Sequence, residues 1–182
     1  MSYKRWVLAA ILLFVIGLAF GVATPAVLAP EAFAAFREFS GILTSLSPVL
    51  LAIIIFIKNA SVLLFSFALS PILCLMPILT LTVNGWMLAA VSTIVAEEHS
   101  LGLVLAALLP HGIIEIPALI LGEAAALSFG ATAITTLLRK GNGKGNLLLT
   151  SFRQNLKYLM IALALLLPAA IIETYVTPLF LR

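Results

Sequence analysis

The chain reads as an all-α, polytopic transmembrane helix bundle of about five spans, on three observations. Of its 182 residues, 63% are hydrophobic and only 9% are charged, where a soluble domain carries about 25%; the mean hydropathy is +1.24. Long stretches lack any Asp, Glu, Lys or Arg, namely 6–30, 39–57, 59–96, 124–138 and 158–172. The basic residues behind the net charge of +3 lie at the ends of these stretches, an orientation signal in a membrane protein rather than a nucleic-acid footprint. A single cysteine, Cys74, excludes an intrachain disulfide scaffold. Residues 1–182 are expected to form one integral membrane domain.

The spans follow from a bilayer core of about 30 Å, which takes roughly 20 helical residues to cross. The first runs over about 6–28. Lys4 and Arg5 with Val27-Leu28-Ala29 imitate a signal peptide, but the apolar run is longer than such a segment needs, and an uncleaved anchor is predicted. Residues 30–46 carry Phe33, Phe36 and Phe39 at helical spacing and are predicted to lie on the external interface. Two spans follow, 48–71 and 74–96, with the break supplied by Pro71 and Pro77, which cannot donate helical hydrogen bonds.

Residues 100–138 would extend about 58 Å as one helix, long for one crossing and short for two. A span over 100–127, with a break near Pro110 and Pro117, would leave 128–139 as an interfacial helix. Alternatively, 101–109 forms a half-helix ending at Pro110-His111-Gly112. The glycine-rich stretch 141–145 is a loop without the context of a phosphate-binding motif. The last span covers 157–178.

Five spans put Lys4, Arg5, Arg139, Lys140, Lys144, Arg153 and Lys157 on one side. The other side receives Arg37, Arg182 and the glutamates 31, 38, 97 and 98. The positive-inside rule then predicts a protein of the cell membrane with its N-terminus in the cytoplasm and Arg182 outside.

Polarity within the spans is where function is sought, because an ionisable group near mid-bilayer costs several kcal/mol unless paired or wet. Lys58, Asn59, Asn84, His111, Glu115 and Glu173 are all placed to meet between the midplane and the external leaflet. His111 and Glu115 are four apart, on one helix face. Lys58 would be the counter-charge, or would snorkel to the surface. An Asn in a span such as Asn84 more often bridges helices than binds a ligand, and Glu123 is suited to a solvated position near the cytoplasmic interface. Gly17 and Gly21 form a small-xxx-small face for close helix packing.

The order His111-Gly-Ile-Ile-Glu115 departs from the H-E-x-x-H of zinc proteases. A metal, if any, would take His111, Glu115 and Glu173. No nucleophile with a base and orienting group is recognisable, so no catalytic residue or cofactor is assigned and the chain is expected not to be an enzyme.

The string LPHGIIEIPALILG (109–122) resembles the signature of the stage II sporulation protein M family. So do Asn59, Asn84-Gly85 and the closing Pro168-Ala-Ala-Ile-Ile-Glu173. The likeness covers about 50–180, and by position it carries over Asn59, Asn84, Gly85, His111, Gly112, Glu115, Pro117 and Glu173. In spore formers the namesake works in a membrane complex with a peptidoglycan hydrolase, while relatives elsewhere have no settled activity. Two residues depart from the pattern: Lys58 stands where another Asn is common, and Glu123 where a small residue is usual.

Two functions are therefore expected to compete. One is a non-enzymatic membrane module that organises partner proteins. The other is a small oligomeric transporter or channel whose polar cluster binds a cation, proton or small solute. The glycine face and the small body further predict a homodimer in the lipid bilayer; other membrane proteins, and no nucleic acid, are the partners expected.

Overall fold

The computed structural model describes residues 3–24, 46–98, 101–138 and 144–176, without the side chains of 97, 98, 101 and 103–111. It contains five helices, α1 (Tyr3–Ala23), α2 (Pro48–Leu69), α3 (Leu75–Glu98), α4 (Leu101–Leu138) and α5 (Lys144–Tyr175). Each holds a stretch long and apolar enough to cross a membrane, and no strand occurs among the described residues. This is a multi-pass membrane bundle, as the charge-free runs require. The segment expected on the external interface (30–46), the cleavage-like Val27-Leu28-Ala29 and Arg182 lie outside the described residues.

Local chemistry sets the boundaries. Ser47 caps α2 by accepting a hydrogen bond from the Leu50 amide (3.4 Å), and Pro48 occupies the first turn, where a missing N–H costs nothing. The helix stops at Ser70-Pro71. The reversal into α3 runs through Leu73 and Cys74 at φ 53° and 54°, a left-handed conformation that side-chain-bearing residues enter at a cost of about 1–2 kcal/mol each. The turn is held by the Cys74 amide on the Ser70 carbonyl (3.0 Å) and lodged against α4, where Gly130 leaves room for the Ser70 carbonyl and the Cys74 thiol.

Two expectations about the later helices are corrected. Pro110 and Pro117 do not end a helix: α4 is continuous over its 38 residues. Each proline deletes a single hydrogen bond, a loss that surrounding protein can absorb at membrane depth. Residues 128–138 are likewise the end of α4 rather than a separate interfacial helix, and α5 begins at Lys144, well before the expected 157. Two hydroxyls of this stretch are satisfied by their own helix, Thr132 on the Ser128 carbonyl (2.9 Å) and Thr135 on that of Ala131 (2.8 Å). Phe67, Phe129 and Phe152, with ring centroids 5.1–5.8 Å apart, then join the extensions of α4 and α5 to α2.

α4 is the central helix. One of its faces contributes Ala118, Ala125 and Ala126 to a core with Leu63, Phe67, Leu159 and Ala162. Another sends Ala124 and Leu127 to a core with Ala10, Phe14 and Leu81. On the α1 side, Gly17 and Gly21 lie against the backbone of α3 at Thr82 and Trp86, and Gly85 of α3 lies against Phe14 of α1. A side chain at any of these three glycines would overlap the opposite backbone. The glycine face predicted for close packing is thus occupied within the chain. Trp86 closes the crossing by donating from Nε1 to the Thr24 hydroxyl (3.0 Å).

Candidate functional site: a polar seam and cleft between the helices

α2 and α4 run parallel, and two polar contacts join them along their length. Nearer their N-termini, the Asn59 side-chain amide donates to Oε1 of Glu115 at 2.8 Å. Two turns further along both helices, the Ser66 hydroxyl donates to Oε2 of Glu123. The steps from Asn59 to Ser66 and from Glu115 to Glu123 are seven and eight residues, so parallel helices bring both pairs into register. Ser66 and Glu123 are completely enclosed, and Oε1 of Glu123 has no hydrogen-bond partner among the described residues. The solvated position expected for Glu123 is therefore corrected. The fully buried alanines that follow it and the adjacent Gly122, which lies against Leu63 of α2 and Ala162 of α5, pack neighbouring helices closely around it.

The upper pair opens onto a cleft of about 210 Å³, lined by Lys58, Asn59, Asn84 and Glu115 and walled by Val62, Leu63, Val83, Met87, Leu119 and Leu166. α2 and α3 flank it, with α4 and α5 as its floor. Lys58 is exposed. The Asn84 side-chain amide donates one of its protons to the Thr80 carbonyl of its own helix (2.7 Å).

Four of the six residues expected to converge therefore line one cleft. Glu173 does not line it; it is half-buried on α5, on the same helix face as Leu166 and two turns along. The side chain of His111 lies outside the described residues. Among the described residues no three His, Cys, Asp or Glu come together as a metal site. Ser66 was missed by the sequence reading, although it lies 57 residues before Glu123, almost the same separation as the 56 between Asn59 and Glu115.

A model of the stage II sporulation protein M family matches residues 10–178. The chain belongs to this family. No curated protein and no solved structure matches it. Of the positions that the sequence resemblance carries over, Asn59 and Glu115 form one of the seam's two hydrogen bonds, while Gly85 serves the crossing with α1. An added Cβ at Gly112 would meet Ile116 Cδ1 of the same helix at 3.7 Å, an ordinary van der Waals contact. The two departures from the family pattern differ in their surroundings: Lys58 is at the cleft and Glu123 is sealed into the seam.

Proposed function

We propose that this member of the stage II sporulation protein M family is a non-enzymatic module of the cell membrane that organises partner membrane proteins. Its basic end would face the cytoplasm. The supporting observation is the seam itself: Asn59 with Glu115, and Ser66 with Glu123, direct their polarity at each other across α2 and α4. Groups used this way fix helix register and give the molecule a definite outer shape for a partner to meet. A homodimer forms part of the reading. Because Gly17 and Gly21 are covered by α3, such a dimer would use another face.

The cleft favours a second reading, in which Lys58, Asn84 and Glu115 bind a small solute or cation for transport. Glu115→Gln separates the two. For a module, the variant keeps the Asn59 bond through its amide oxygen and so changes abundance and thermal stability little, and proteoliposomes of either form carry no ion or solute flux. A flux through the native protein that Glu115→Gln abolishes, at unchanged abundance, would overturn the module in favour of transport.

A further inference from the structure

We propose that the groove between the start of α1 and the α4–α5 extension binds one anionic glycerophospholipid, with its phosphate at Lys157. The groove measures about 1060 Å³, at the upper end of the roughly 300–1,000 Å³ typical of ligand sites. α5 from Lys157 to Tyr175 spans about 28 Å, close to the hydrocarbon thickness, which puts Lys157 at the membrane boundary. At the same level the rings of Tyr3 and Tyr158 stack at 3.6 Å, and the Tyr3 hydroxyl donates to the Leu121 carbonyl (2.8 Å). The wall is therefore built rather than loose, and aromatic as membrane interfaces prefer.

The lining is graded as a phospholipid is. Trp6 and Ile161 continue from the level of Tyr3 and Lys157 into the spans, while the opposite end of the lining carries Ser128, Thr132, Thr135, Thr150 and Gln154 together with Ala131 and Leu147. Thr132 and Thr135 give their protons to carbonyls of α4, which leaves Ser128 on α4 and the polar groups of α5 as donors. There Thr150, Gln154 and Lys157 follow one another at i, i+4 and i+7 along a single face, which Ile161 continues into the membrane.

Charge selects an anion. Lys4, Arg5, Lys144, Arg153 and Lys157 stand at this end, and neither 1–30 nor 124–172 contains an acidic residue to neutralise them. Basic pockets between spans on such a face suit phospholipid head groups. Arg153 does not line the groove, which makes it the internal control.

The test uses the full chain in mild detergent with phosphatidylglycerol or phosphatidylcholine, read by native mass and by melting temperature. One phosphatidylglycerol per chain is expected to be retained and to raise the melting temperature, with phosphatidylcholine doing neither. Lys157→Gln should lower retention by about tenfold. Arg153→Gln should stay within about fivefold, the scale of one surface cation, and Gln154→Leu should weaken retention without altering the fold by circular dichroism. Equal retention of both lipids, or equal losses in the Lys157 and Arg153 variants, would overturn the proposal. So would displacement by soluble glycerol phosphate, which indicates a free-phosphate site, or a second protein copy in place of the lipid.

Discussion

The α1–α3 and α2–α4 pairs solve the same problem by opposite means. Both are parallel, and each joins helices separated by one other in the chain. In lipid no hydrophobic drive pulls helices together, because the tails are as apolar as leucine. α1 and α3 associate by removing side chains: Gly17, Gly21 and Gly85 let backbone meet backbone. α2 and α4 associate by burying polar side chains that answer each other, Asn59 with Glu115 and Ser66 with Glu123. The glycine crossing tolerates no added atom, whereas the polar seam tolerates exchange provided both partners change together.

The largest effect is expected at the crossing. Gly85→Leu sets a side chain into the Phe14 carbonyl and should cost roughly 3 kcal/mol, the upper range of overpacking, read as loss of monodisperse protein on size exclusion. If the variant folds normally, the crossing is looser than its geometry implies.

Next comes the lower half of the seam. Ser66→Ala leaves both oxygens of Glu123 without a partner and should destabilise by about 1–3 kcal/mol in a thermal melt. Adding Glu123→Met should recover most of that loss, since removing both polar partners together is nearly neutral. No recovery would mean that Glu123 serves something other than the seam.

The smallest effect belongs to the upper half. Asn59→Ala removes one interhelical hydrogen bond beside the cleft and should cost about 0.6 kcal/mol, the typical value within membranes, measured by denaturant titration in bilayers. A loss several times larger would make Asn59 a keystone of the cleft.

What the sequence disclosed follows the same division. Charge-free runs gave the number of spans, and Pro71 gave the α2–α3 break, because both depend only on local composition. Gly17 and Gly21 were legible as a packing face, but their partner was not: Gly85 reads as half of an Asn-Gly motif until α3 is known to cross α1. Asn59 and Glu115 were legible as costly polar residues. Glu123 was misplaced because its burial depends on the alanines of α4 meeting two other helices, which no local pattern announces. Pro110 and Pro117 misled for the converse reason, since a strong local breaker was overridden by the packing of a long central helix.

The interleaved pairing also sets an order of assembly. Glu115 emerges from the ribosome 56 residues after Asn59, a delay of about 3–11 s at 5–20 residues per second. Throughout that interval Asn59 and Ser66 of α2 lack their native acceptors on α4, and during its first part α1 also waits for α3. Insertion therefore passes through a stage in which two half-built pairs coexist and neither can close. Until α4 arrives, the polar groups of α2 must be accommodated by water, by the insertion machinery or by carbonyls of their own helix, as Thr82, Asn84 and Ser92 are in the folded chain.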